Sequence, residues 1–96
     1  MNNYTFSNDI MCEWRGDKPF VNIYQDYTFH GSGIFEWGCG GKNAADLALN
    51  ILTHFVDKEI AFKLHQEFKW DFIAKMPREG GIIKNRDIKD WIKERI

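Results

Sequence analysis

Apolar and polar residues alternate along the first third of the chain and then change to a helical period. Residues 10–15 predict a strand, and residues 20–24 predict a second, with Val21 and Ile23 on one face and Phe20, Asn22 and Tyr24 on the other. Gly16-Asp17-Lys18-Pro19 supplies turn residues between them, so the pair reads as a hairpin. Residues 33–37 predict a third strand, in which Phe35 and Trp37 share one face and Ile34 and Glu36 the other.

From Asn43 onward Ala45, Ala48, Leu52 and Phe55 recur at helical spacing. Leu47, Leu49, Ile51 and Val56 widen that stripe almost all the way round, as a helix inside a core requires. Asn43 is the predicted N-cap, and Asp46 near the start complements the helix dipole. A second helix, capped by Asp57, runs to about Met76 with Ile60, Ala61, Leu64, Phe68, Phe72 and Ile73 on its apolar face, and Pro77 stops it. Gly80-Gly81 allows a turn, Ile82-Ile83 reads as a short strand, and Asn85 caps a last helix with Ile88, Trp91, Ile92 and Ile96 on one side. The fold class is α+β: a small three-stranded antiparallel sheet followed by three helices packed on it, with residues 1–96 as a single domain.

Composition adds one pressure to this picture. Aromatic residues make up 16% of the 96 positions, a large apolar area per residue that a chain this short needs for its core. A net charge of −1 gives no general field for a polyanion, so nucleic acid and anionic membrane surfaces are disfavoured as partners. Cys12 and Cys39 form no CxxC pair, which removes the usual zinc and redox spacings, and a disulfide between them is disfavoured. Met1-Asn2-Asn3-Tyr4 carries neither a basic leader nor an apolar run, and no stretch approaches the roughly 18 apolar residues of a membrane span. The expected location is the cytoplasm.

Several blocks resemble a known family in their order along the chain. They are Arg15-Gly16, Phe35-Glu36-Trp37-Gly38-Cys39-Gly40-Gly41, Ala45-Asp46-Leu47-Ala48-Leu49, Phe68-Lys69-Trp70-Asp71-Phe72-Ile73-Ala74 and residues 88–92. The family is one of unknown function, number 6166, found in bacteria, phage and other mobile elements, and the resemblance covers about four fifths of the chain. It implies a setting and no activity: a small phage or mobile-element protein that binds and modulates a host protein, for example as an inhibitor of a defence system. The chain departs from the family pattern at Cys39, where an aromatic is usual, and at Lys42-Asn43-Ala44, where a small residue, Gly and Pro are usual.

Two candidate sites follow from the residues. Gly38, Gly40, Gly41, Lys42 and Asn43, with His30, could hold a small anion such as a phosphate, nucleotide or carboxylate, because a strand feeding a helix N-terminus leaves backbone N–H groups unbonded. Their spacing is neither GxGxxG nor a P-loop, and the alternative is that the glycines serve backbone geometry alone. Phe62 and Trp70 on the second helix, with Trp91 on the last, are candidates for a partner-binding surface, the alternative being that they pack inside the domain. Glu36 is either solvated or orients Arg15. His30, His54 and His65 share no metal spacing, and His30 with Ser32 lacks a legible orienting group, so no catalytic residue, metal or cofactor is assigned. The leading expectation is a non-enzymatic protein-interaction module, and the second is a small-ligand site at the Gly-rich turn.

Overall fold

The structure, a computed structural model, describes residues 6–96. The Met1-Asn2-Asn3-Tyr4 stretch lies outside the described residues. Strands β1 (Ile10–Arg15) and β2 (Lys18–Val21) form the expected hairpin, but its turn is the two residues Gly16-Asp17, with Arg15 opposite Lys18. Strand β2 therefore begins at Lys18 and stops at Val21. The Asn22 N–H donates to Met11 O at 3.3 Å, and the alternation of the ladder from that bond puts Pro19 with its missing N–H on the open edge. An edge is the one place in a sheet that tolerates proline well.

The third strand differs from expectation. It is β3 (Gly80–Ile83), which pairs antiparallel with the free side of β1 and gives the order β2-β1-β3. Residues 33–37 run as irregular chain, although the alternation read there holds: Phe35 and Trp37 are buried, Ile34 and Glu36 exposed. Trp37 is fixed by its indole N–H, which donates to Arg78 O at 3.1 Å, while the Trp14 indole donates to the same carbonyl at 2.7 Å. Glycine allows β3 its place. Gly80 has φ 118°, and a β-carbon there would stand against Cys12 O of β1.

Helices α1 (Lys42–Leu52), α2 (Lys58–Phe68) and α3 (Asn85–Lys93) complete the α+β fold, and α2 runs on into a π-helical turn (Lys69–Ile73). Every residue of α1 from Ala44 to Leu52 is buried, as its wide apolar stripe predicts. Ile10, Cys12, Val21 and Ile83 share one sheet face and join the apolar residues of the helices in one core, while Ile82 on the opposite face stays exposed.

Asp57 is the N-cap of α2, as expected, while the other two caps are displaced from their expected residues. Gly41, not Asn43, is the N-cap of α1, and Lys84, not Asn85, that of α3. Asn85 is buried and bonds across the fold instead: its side-chain amide donates to Phe6 O and Asn8 O, and its backbone N–H is capped by Asp9 Oδ1 at 2.8 Å. Among the described residues no helix is long and apolar enough to cross a membrane.

Candidate functional site

The site begins with three polar residues on α1, a helix otherwise built for the core. Asn43, Asp46 and Asn50 lie at i, i+3 and i+7, hence on one face, and that face meets the loop between β2 and α1. Buried loop N–H groups need acceptors, and these side chains provide them. Asp46 accepts from the backbone of Phe29, His30 and Gly31 at 3.3, 2.9 and 2.8 Å. The Asn50 side-chain oxygen accepts from Asp26 and Tyr27, and its amide donates to Tyr27 O and Asp46 O. Asn43 accepts from the backbone N–H of Ser32 at 2.8 Å. The loop is thus locked to the helix, and His30 is delivered to a fixed point.

That point faces α2. His30 Nε2 lies 2.9 Å from His65 Nε2, with the rings 5.1 Å apart and nearly parallel at 19°. A carbonyl can only accept, so Phe62 O, 2.8 Å from His65 Nδ1, assigns the His65 proton to Nδ1. Neutral His65 then accepts at Nε2, and His30 donates. Burial holds the His65 imidazole below its ordinary value, opposed by the hydrogen bond it donates to Phe62 O and reinforced by His30.

Beside the pair lies a small cleft of about 160 Å³, bounded by His30, Gly40, Gly41, Lys42, Gln66 and Lys69. Among the described residues no carboxylate lines it. Lys69 is only 6% exposed, and its ammonium donates to Gly40 O at 2.9 Å while sitting 4.4 Å from the centre of the Trp70 ring. Trp70 in turn rests on Gly40, where its ring occupies the space any β-carbon would take. Phe29 stands edge-on to Phe62 at 4.9 Å and to His30, which bounds the cleft, at 5.0 Å. Both rim aromatics remain accessible, Phe29 at 65% and Trp70 at 56%.

Of the residues singled out from sequence, His30, Gly40, Gly41 and Lys42 meet at this cleft, and Phe62 and Trp70 border it through their contacts with His30's neighbours and with Gly40. Parts of the two candidate sites thus meet in one place. Gly38 lies elsewhere, against Met76 and Arg78, with its N–H donating to Ile73 O. Asn43 is turned to the loop. Trp91 is core, its indole donating to Asp71 at 2.8 Å and its ring covered by the Arg95 guanidinium, so it offers no surface to a partner. Arg15 pairs with Glu13, not Glu36, and lies over the Phe20 ring.

Sequence reasoning missed Asp46 as an anchor and His65, Gln66 and Lys69 as part of the cleft. The signal for the first was three polar residues on one face of a helix apolar almost everywhere else. For the rest it was Phe62, His65, Gln66, Lys69 and Trp70 falling at i, i+3, i+4, i+7 and i+8 on α2 and its π-helical turn. Cys12 and Cys39 are free, and burial pushes the Cys12 thiol up to about 12, far from a reactive thiolate. Among the described residues no group of three or more His, Cys, Asp or Glu could hold a metal ion.

A family model described as a family of unknown function, DUF6166, matches residues 5–94, almost the whole chain. The chain belongs to that family. Neither the curated proteins nor the solved structures contain a match to this DUF6166 chain. Its cleft therefore has to be read from its own chemistry.

Proposed function

We propose that this DUF6166 chain is a non-enzymatic module that docks on another protein through the surface around the cleft, with Phe29 and Trp70 as its anchors. The observation that carries the reading is that both rings are exposed yet immobilised, one by Phe62 and the other by Gly40 and Lys69. Aromatic side chains already held in place lose little entropy on binding, which is what makes such residues hot spots. Trp14 is likewise exposed and held, through Arg78 O and Trp37, but it is not among the residues that bound the cleft. The Ser32 hydroxyl is turned to Asn43 Oδ1 at 3.4 Å, not to His30. The phage or mobile-element setting implied by the resemblance supports a host protein in the bacterial cytoplasm as the partner, with a defence-system component as one example.

A second reading, a free small anion in the cleft, is favoured by the buried Lys69. The cleft argues against anything as large as a nucleotide, because about 160 Å³ falls short of the roughly 300 Å³ at which small-molecule pockets begin.

The test is recovery of a partner by tagged protein from the host cytoplasm. The wild-type chain should retain a stoichiometric partner, and a Phe29→Ser, Trp70→Ser double variant should lose it by about tenfold or more. Ile82→Ser, on the opposite sheet face, should retain it. Undiminished recovery by the double variant, with its fold intact by circular dichroism, rules the surface out.

A further inference from the structure

We infer that the cleft is a carboxylate subsite within this docking surface, taking an Asp or Glu side chain of the partner between Lys69, Lys42 and His30; the inference rests on the docking reading above. Charge complementarity carries it. Lys69 is nine-tenths buried, yet it forms no ion pair among the described residues. Its ammonium has three N–H groups, of which the Gly40 carbonyl takes one. A buried charge is ordinarily met by an opposite one, and here the opposite charge is missing from the cleft wall.

The surroundings point the same way. Helix α1 opens on the cleft at Gly41 with no side-chain cap, and its first turn holds no acid. The nearby carboxylate, Asp46, is fully buried and turned to the three loop N–H groups; its charge is felt at His65, but it does not line the cleft. Exposed Lys42 adds a second cation at the rim. With a net charge of −1 overall, this positive spot is a local feature and not a sign of general basicity. Size narrows the class further. A volume of about 160 Å³ suits one carboxylate, and the exposed rings beside His30 and Gly40 provide for apolar neighbours of that residue on the partner chain.

The experiment titrates ¹⁵N-labelled full-length protein with a capped peptide of alternating aspartate and phenylalanine, with the same peptide carrying asparagine for aspartate, and with inorganic phosphate. The acidic peptide should shift the Gly40, Gly41 and Lys42 amides and the Trp70 indole, and bind about fivefold or more tightly than the asparagine peptide. Lys42→Glu should weaken it by about tenfold without lowering the melting temperature, since an acid in the first turn of α1 suits the helix dipole. Lys69→Met should remove the preference for aspartate, and Lys42→Arg should keep it. Equal binding of the two peptides, shifts confined to other surfaces, or phosphate displacing the acidic peptide at lower concentration would each overturn the assignment. If the recovered partner is lost by the Phe29 and Trp70 double variant but kept by Lys42→Glu, the subsite falls and the docking surface stands; a partner kept by both removes the surface itself.

Discussion

Asp46 sits in a largely apolar helix with no exposure to water, and the hydrogen bonds its carboxylate accepts all come from backbone. Replacing it with Asn removes the negative charge and leaves one oxygen to meet three donors, with an amide group facing at least one of them. Asp46→Asn should destabilise the fold by about 2–3 kcal/mol in urea denaturation, the range for hydrogen bonds to a charged group together with a stranded donor. Asn43→Ala should cost nearer 1 kcal/mol, because the Ser32 N–H that it releases is at the exposed end of the loop and water can replace it. Equal losses in the two variants would contradict this ordering. Helical spacing alone places Asp46 near the α1 N-terminus and makes it a dipole partner. What packs over that face, and so the role of the carboxylate, depends on residues 15 to 17 positions earlier in the chain.

At the scale of elements, alternation and pairing proved separable. Residues 33–37 alternate because Phe35 and Trp37 are pressed into the core, and burial by side-chain packing leaves the same period as burial in a ladder. β3 carries little of that signal: two glycines and two isoleucines, one of them exposed. Its pairing depends on close backbone approach at Gly80, a property of the missing β-carbon and the positive φ that no hydrophobic pattern reports. Gly80→Ala should therefore cost about 2–3 kcal/mol, read as a drop in melting temperature, because it combines left-handed strain with a clash against the β1 carbonyl. A neutral effect would mean that β3 is not held to β1 in this way. The caps followed the same logic. Asn43 and Asn85 are side chains suited to capping, and tertiary partners drew both of them to bonds with other segments.

At the scale of the whole molecule, two partly buried histidines make stability depend on pH. Burial is the main cause that lowers both His65 and His54, with Asp26 opposing it at His54. With folded values below the ordinary 6.5, the unfolded chain binds more protons in the window beneath it, so stability is complete above about 6.5 and is lost as pH falls toward the folded values. The urea midpoint should be lower at about pH 5 than at about pH 7.5, and a His54→Gln, His65→Gln double variant should show a smaller drop. A midpoint equal at the two pH values would show that neither imidazole is held neutral by the fold. The sequence by itself determined the α+β class, the β1–β2 hairpin, the positions of the three helices and the residues of the Gly-rich turn, because local propensity and periodic burial are written residue by residue. Only the tertiary structure decided which segment completes the sheet, that the glycine turn and the aromatic face of α2 share one surface, and that Lys69 is buried there beside a wall with no carboxylate among the described residues. Those outcomes depend on contacts between residues distant in sequence, whose geometry exists only once the chain has closed on itself.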